Sequence, residues 1–300
     1  MAELSYVLVT AARNEEANIE KTIQSVVSQA MPPRRWVIVS DGSTDRTEAI
    51  ASSYAKKYPF IQVVRREKKG KRDFCSKVQA VRQGVIELNS IEYDVLGNLD
   101  ADVSLEPNFY SQILQEFNRN SKLGIAGGMV LEERGGAFRD RFGNTDQSVA
   151  GATQTFRRDC YEDIEGYVAL EYGGEDTVAN ETARMKGWDV KAFPHLRVFH
   201  HRRTGSAGRS IFRALFQAGM HEYLLGYDPL FEVAKLIRRM RERPYGVGSI
   251  VRGVGYGWAA LVRRRRPVSP EFVAHLRKEQ RNRLKETLRI VRCSARASDI

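Results

Sequence analysis

Three times before Asp94 a short run of apolar and β-branched residues gives way, across a polar loop, to apolar residues at helical spacing. Ser5–Ala11 leads to Ile19, Ile23, Val26 and Val27. Trp36–Val39 leads to Ile50 and Tyr54, and Ile61–Val64 to Phe74, Val78, Val81 and Val85. Period two followed by period 3.6, repeated, predicts strand, helix, strand, helix, and hence a largely parallel sheet covered by helices. A fourth apolar run, from Tyr93, enters Asp100-Ala101-Asp102, with Pro107 and another helical pattern close behind. Open α/β sheets bind ligands at the carboxyl ends of their strands. Two carboxylates delivered there offer hard oxygen donors suited to Mg²⁺ or Mn²⁺ carrying a diphosphate.

Further along, Asn108–Phe117 reads as a helix, Gly124–Leu131 as a strand and Glu132–Gly143 as a loop rich in glycine and charge. Gly173-Gly174-Glu175-Asp176 opens a helix that Gly187 stops. Val190–Phe193 and Arg197–Phe199 read as two short strands, the second running into His200-His201. Asn14 is the predicted N-cap of the first helix. Four stations of carboxylate or histidine thus fall at strand ends or helix starts: Asp41, Asp100 with Asp102, Glu175 with Asp176, and His200 with His201. Each alone has an ordinary explanation. Asp41-Gly42-Ser43 makes a turn, acids in a first helical turn complement the macrodipole, and paired histidines commonly pack or face solvent.

Their order together resembles the family 2 glycosyltransferases of the GT-A (Rossmann-like) fold, over about residues 5–205. The matching segments are Ala11-Ala12-Arg13-Asn14-Glu15-Glu16, Ser25-Val26-Val27-Ser28-Gln29 and Asp41-Gly42-Ser43-Thr44-Asp45-Arg46-Thr47, followed by the Asp-x-Asp, the Glu-Asp pair and a late histidine. The resemblance implies that Asp41 bonds the nucleobase or ribose of a nucleotide sugar, with Ala11, Arg13 and Glu15 in the same pocket. It implies that Asp100 faces the ribose beside Ala101, and that Asp102 binds the metal bridging the two phosphates. Lys71 and Arg72 stand where the family often places phosphate contacts. Asp176 would be the general base that deprotonates an acceptor hydroxyl, with Glu175 its neighbour and alternate. A single displacement then inverts the anomeric centre. His200 is expected to be the last protein ligand of the metal; His201 is the alternative, since neighbours on a strand point oppositely. The chain departs from the usual pattern at Ser40, where an acid is common, at Arg13, where an aromatic is frequent, and after Asp176.

Charge separates the two parts of the chain. Residues 201–300 hold 22 Lys or Arg against 8 Asp or Glu, whereas residues 1–200 hold 26 against 29. A GT-A domain over 1–205 and a basic helical region over 206–300 follow. In that region Ile211–Leu225, Phe231–Arg243 and Tyr245–Val262 are apolar segments interleaved with arginine and aromatic side chains, closed by Arg263-Arg264-Arg265-Arg266. Tyr245–Val262 is too short and too charged to span a bilayer. Basic amphipathic helices bind anionic leaflets, with Phe212, Phe216, Tyr223, Phe231, Tyr245, Tyr256 and Trp258 expected at headgroup depth. A charged helix over Pro270–Leu288 and a frayed end are expected to follow. Cys75, Cys160 and Cys293 lack metal or disulfide spacing, and Met1-Ala2-Glu3-Leu4 lacks a leader pattern, so a cytoplasmic, peripheral location on the inner face of the membrane is expected.

The expectation is an inverting glycosyltransferase that uses Mg²⁺ or Mn²⁺ and moves a sugar from a nucleotide-sugar donor to a lipid-linked or oligosaccharide acceptor, at an anionic membrane surface and without nucleic acid. Two alternatives are a nucleic-acid-binding protein using the arginine-rich region and a catalytically silent nucleotide-sugar sensor.

Overall fold

A computed structural model describes residues 4–67, 74–141, 144–171, 173–202, 210–241 and 244–297. The chain divides into two compact units, Met1–Thr204 and Gly205–Ile300.

The alternation read from the sequence is realised as β1 (Tyr6–Ala12), α1 (Ile19–Val27), β2 (Arg35–Asp41), α2 (Thr47–Ala55), β3 (Ile61–Arg66), α3 (Phe74–Ile86) and β4 (Val95–Asn98). These four strands pair in parallel in the order β3-β2-β1-β4. Both faces are dry. Tyr6, Leu8, Trp36 and Ile38 pack with Ile19, Ile23 and Val26 of α1, while Val7, Val9, Val37 and Val39 pack with Val78 and Val81 of α3. Burial on two sides explains why the strands are continuous apolar runs.

Beyond β4 come β5 (Val103–Leu105), α4 (Phe109–Arg119), β6 (Leu123–Arg134), β7 (Ala137–Asp140), β8 (Thr155–Arg157), α5 (Arg158–Asp163), α6 (Glu175–Met185) and β9 (Asp189–His200). They extend the sheet in the order β4-β8-β6-β9-β5, with β7 paired to β6. The α/β class and the GT-A-like fold are as expected; the sheet is parallel from β3 to β4, as the alternation predicts, and mixed beyond it, where β8, β5 and β7 pair antiparallel.

Three local readings are corrected. The segment 132–143 contains a hairpin: β6 and β7 turn at Gly135 and Gly136, whose φ values of 62° and 79° suit a two-residue turn of the primed type. The two short strands expected over 190–199 are one strand, β9, with a shift in register opposite Gly128 and Met129 that absorbs Pro194. Asn14 is no helix cap. It lies at φ 53°, accepts the Thr44 N–H at 2.8 Å through Oδ1, and precedes α1 by several residues. Asx side chains tolerate that left-handed region by bonding locally.

The second unit contains α7 (Ile211–Leu224), α8 (Pro229–Arg239), α9 (Val247–Leu261) and α10 (Pro270–Ala297). Asp228 caps α8 by accepting the Leu230 N–H at 2.9 Å, and Pro229 fills the first helical position. Helices α7 and α9 approach closely because Gly219 and Gly255 carry no side chain: a Cβ on Gly255 would sit 2.1 Å from the Phe216 carbonyl oxygen. Between these helices and α8 lies a buried ionic cluster. The Glu222 carboxylate accepts from Arg252 Nη1 at 2.7 Å and from Lys235, and Glu232 is buried beside it. Burial pushes the Glu222 carboxyl up, but Lys235 and Arg252 outweigh it and hold the group at about 2. Glu232 goes the other way, to about 7, because its burial exceeds the help from Lys235.

Two expectations for this unit change. The helix expected to end at Leu288 continues to Ala297. Tyr223 and Tyr256, expected at a headgroup boundary, pack edge to face instead, and the Tyr256 hydroxyl donates to the Tyr227 carbonyl at 2.8 Å. No helix among the described residues is long and apolar enough to cross a membrane.

Candidate active site

The ends of the strands bring the expected residues together. Asp41 is the last residue of β2 and stands in register with Arg66, the last of β3. Arg66 Nη1 lies 2.6 Å from Asp41 Oδ1, and the Ser76 hydroxyl donates to Oδ2. Gln79 accepts from the other Arg66 nitrogen. The Asp41 carboxylate is thus fixed from two sides and almost fully buried. Ala11 and Arg13, at the end of β1 and just after it, are partly buried.

Just past β4 the chain turns with Asp100 N–H donating to the Ala152 carbonyl at 2.9 Å. Lys77, from α3, reaches Asp100 Oδ1 at 2.8 Å and Glu175 Oε1 at 3.4 Å. One ammonium therefore neutralises a carboxylate from the sheet and another from the start of α6. Burial pushes the Glu175 carboxyl above its usual range, and the Asp176 carboxylate next to it adds to the push, against Lys77. Ala101 is buried within the turn.

Asp102 sits against the end of β9, because β5 and β9 pair Val103 with His200 and the His201 N–H donates to the Asp102 carbonyl at 2.9 Å. His200 Nε2 lies 3.2 Å from Asp102 Oδ1; Arg202 Nη2 lies 2.7 Å from Oδ2 and 2.6 Å from Glu15 Oε1. Burial works against ionisation of Asp102, but His200 and Arg202 leave its carboxyl below the usual range. The same contact raises His200 in spite of its burial. His201 faces elsewhere: its Nε2 is 2.8 Å from Ser104 Oγ and its ring meets Phe138 edge-on. Burial lowers its pKa.

Asp176 has a different setting. Gly174, at φ 89°, turns the chain into α6, and Asp176 Oδ2 accepts the Gly151 N–H at 3.0 Å while Oδ1 accepts the Thr177 N–H at 2.7 Å. The side chain remains partly exposed. A carboxylate held by two amides and open to solvent is aimed without being neutralised, which suits a proton acceptor. Behind it, Gln154 donates to the Asp176 carbonyl at 3.1 Å and to Asn180 Oδ1 at 2.8 Å, and accepts from the Tyr167 hydroxyl at 2.6 Å.

Lys71 and Arg72 lie outside the described residues. Lys77, Arg66 and Arg202 were not singled out from the sequence. Arg66 had a usable signal, since it ends a strand parallel to the one that ends in Asp41. For Lys77 and Arg202 the pairing depends on tertiary contacts alone.

As to a metal, among the described residues no group of three or more His, Cys, Asp or Glu side chains gathers to cage an ion. The Asp102 carboxylate and the His200 imidazole make a two-donor set, and His200 Nδ1 is buried without a hydrogen-bond partner. This set fits a divalent ion whose remaining ligands come from substrate oxygens, the usual situation for Mg²⁺ on phosphates.

The profile of Glycosyl transferase family 2 matches residues 7–164. The poly-beta-1,6-N-acetyl-D-glucosamine synthase of Staphylococcus epidermidis is 23% identical over 245 residues, covering 75% of this chain and 57% of the synthase. The beta-monoglucosyldiacylglycerol synthase of Synechocystis sp. is 36% identical over 116 residues, 37% of this chain and 22% of that protein. The chain therefore spans about half the length, or less, of these curated relatives. In fold it is similar to a mannosyltransferase from Pyrobaculum calidifontis, solved with GDP-Man and Mn²⁺, at a TM-score of 0.55 and 15% identity, covering 92% of this chain and 74% of that one. With the profile spanning more than half of its residues, this chain belongs to Glycosyl transferase family 2.

Proposed function

We propose that the chain transfers a sugar, with inversion, from a nucleotide-sugar donor to a hydroxyl of a lipid-linked or oligosaccharide acceptor, with Mg²⁺ or Mn²⁺ as cofactor. The observation that carries this reading is the contrast between two kinds of carboxylate at one edge of the sheet. Asp41, Asp100 and Asp102 are each held by a cation, whereas Asp176 is held by backbone amides and stays partly exposed.

In this reading Asp41 and Arg66 hold the base or ribose, with Ala11, Arg13 and Glu15 in the same pocket. Asp100 faces the ribose, and Lys77 keeps Asp100 and Glu175 in position. Asp102 and His200 would hold the metal, which when bound would supply Lewis-acid stabilisation of charge on the diphosphate. Asp176 takes the proton from the attacking hydroxyl. The family relatives named as polysaccharide and glucosyldiacylglycerol synthases support an acceptor of carbohydrate or lipid type. Residues 1–205 would perform catalysis, while residues 206–300 keep the enzyme at the cytoplasmic face of a membrane.

The test is a thermal-shift panel of UDP, GDP and dTDP sugars with and without Mn²⁺, since a ligand that binds only the native state raises its apparent stability. One nucleotide class should stabilise the wild type, more so with Mn²⁺, and Asp102→Asn should lose the Mn²⁺ increment. Stabilisation by none of them, or no Mn²⁺ increment, would count against the reading.

A further inference from the structure

The second unit hides ions and exposes aliphatic groups. On α8 Leu230, Val233 and Ile237 point outward, and on α9 Ile250, Val254 and Leu261 do the same; Leu230 is 72% exposed, Ile250 66% and Leu261 77%. The spacings, three and four on α8 and four and seven on α9, each mark one stripe of a helix. The two helices are neighbours, tied by Ser249 Oγ donating to the Leu236 carbonyl at 2.9 Å and by Glu222 bridging Lys235 and Arg252. Their inward faces carry Glu232, Lys235, Ser249 and Arg252. Polar groups inside and aliphatic stripes outside are the reverse of a water-facing helix pair, and a soluble protein rarely leaves so many large apolar side chains uncovered.

We infer that these two stripes enter the headgroup boundary of an anionic bilayer, with α8 and α9 lying in the plane of the interface. Charge selects this occupant. Residues 229–266 hold ten Lys or Arg against two Glu, and the exposed Arg238 and Arg241 follow one stripe while Arg263 and Arg265 follow the other. Anionic headgroups complement that collar. A second copy related by a two-fold axis brings the same patch onto itself, arginines included, and is disfavoured. Crossing is excluded by length: the 15 residues of α9 extend about 22 Å, short of the roughly 30 Å hydrocarbon core. The insertion is thus mainly aliphatic: of the aromatic residues expected at headgroup depth, Trp258 continues the α9 stripe four residues after Val254 and is exposed, as are Phe212 and Tyr245, whereas Tyr223 and Tyr256 pack against one another.

The inference rests on the membrane part of the proposed function and can fail independently of the donor chemistry. The test is flotation of the full chain with vesicles of phosphatidylcholine alone or mixed with phosphatidylglycerol. The wild type should float with the mixed vesicles and release as salt rises. Ile250→Glu and Leu261→Glu should each weaken flotation by about tenfold or more, given the cost of placing a charge in the apolar layer. Both sites are exposed, so helical content and melting temperature should match the wild type, and Ile250→Ser provides a milder variant that should lose part of the binding. Arg263→Gln with Arg265→Gln should reduce the dependence on phosphatidylglycerol. Equal flotation of wild type and both Glu variants would overturn the proposal. So would absence of vesicle binding accompanied by dimer formation in sedimentation, or by tight binding of RNA. Nucleotide-sugar stabilisation, measured in parallel, reports on the transferase reading separately: it should persist in every variant named here.

Discussion

The two units use charge in opposite ways. In the first, both faces of the sheet are apolar and the ionised groups gather at the strand ends, where Asp41, Asp100 and Asp102 each meet a cation from another element. In the second, Glu222, Glu232, Lys235 and Arg252 lie inside along with Met220, Leu224 and Ala259, while a set of large aliphatic groups on α8 and α9 faces outward. Of the large apolar side chains exposed among the described residues, only Ile86, Phe138, Val168 and Met185 belong to the first unit. Buried ions thus gather at strand ends in one unit and between helices in the other, and substitutions should tell the proposed catalytic use of the first from the structural use of the second.

The largest effect is expected at Asp176. Asp176→Asn should reduce transfer by about 10² to 10⁴ while leaving nucleotide-sugar binding and melting temperature near wild type. Loss of stability with retained turnover would erase the contrast, since Asp176 would then behave like the ions of the second unit. Next comes Lys77, which serves two carboxylates. Lys77→Met should destabilise the protein by about 1–3 kcal/mol, the scale for leaving part-buried polar groups without their partner; urea unfolding measures this. Smaller again is the comparison of the two histidines. His200→Gln should weaken Mn²⁺ binding in the presence of nucleotide by about tenfold, whereas His201→Gln should change it little; calorimetric titration separates them. Equal effects would move the metal away from Asp102.

The smallest effect concerns Glu232. Its carboxyl is raised in the folded chain to about 7 from an ordinary value near 4.5. Between those values the folded state binds more protons than the unfolded one, so this contribution is present at low pH and is lost as pH rises through 7. Glu222, held at about 2, contributes with the opposite sign: its stability is present above pH 4.5 and is lost as pH falls toward 2. Glu232→Gln should therefore raise the melting temperature at pH 8 by about 2–4 °C and leave it near wild type at pH 5. A gain of the same size at both pH values would show that Glu232 keeps one protonation state across this range.

Much of the first unit was legible because strand and helix periods alternate cleanly and because the anionic stations fall where each period changes. Asp41, Asp102, Asp176 and His200 all lie at such boundaries. The cations were not legible, since Arg66, Lys77 and Arg202 find their partners only through sheet register and helix packing. The choice between His200 and His201 needed the pairing of β5 with β9 to orient the rings, which local pattern does not contain. In the second unit the sequence displayed apolar and basic groups in the right segments but not their facing. Aromatic residues drew attention there, yet Tyr223 and Tyr256 pack inward because Gly219 and Gly255 let α7 and α9 close on one another.

The contact between Asp102 and Arg202 spans 100 residues, and that between Glu15 and Arg202 spans 187. Such separations make the site a late product of chain synthesis. A nascent chain that has emerged only as far as α6 can pair β1 to β4 and bury most of its apolar sheet, but it lacks β9, the partner that gives β5 its edge. Its Asp102 then has neither His200 nor Arg202. On the proposed reading, competence for the diphosphate and its metal would arrive with the last strand, and a chain that stalls or is clipped before it would fold far without becoming active.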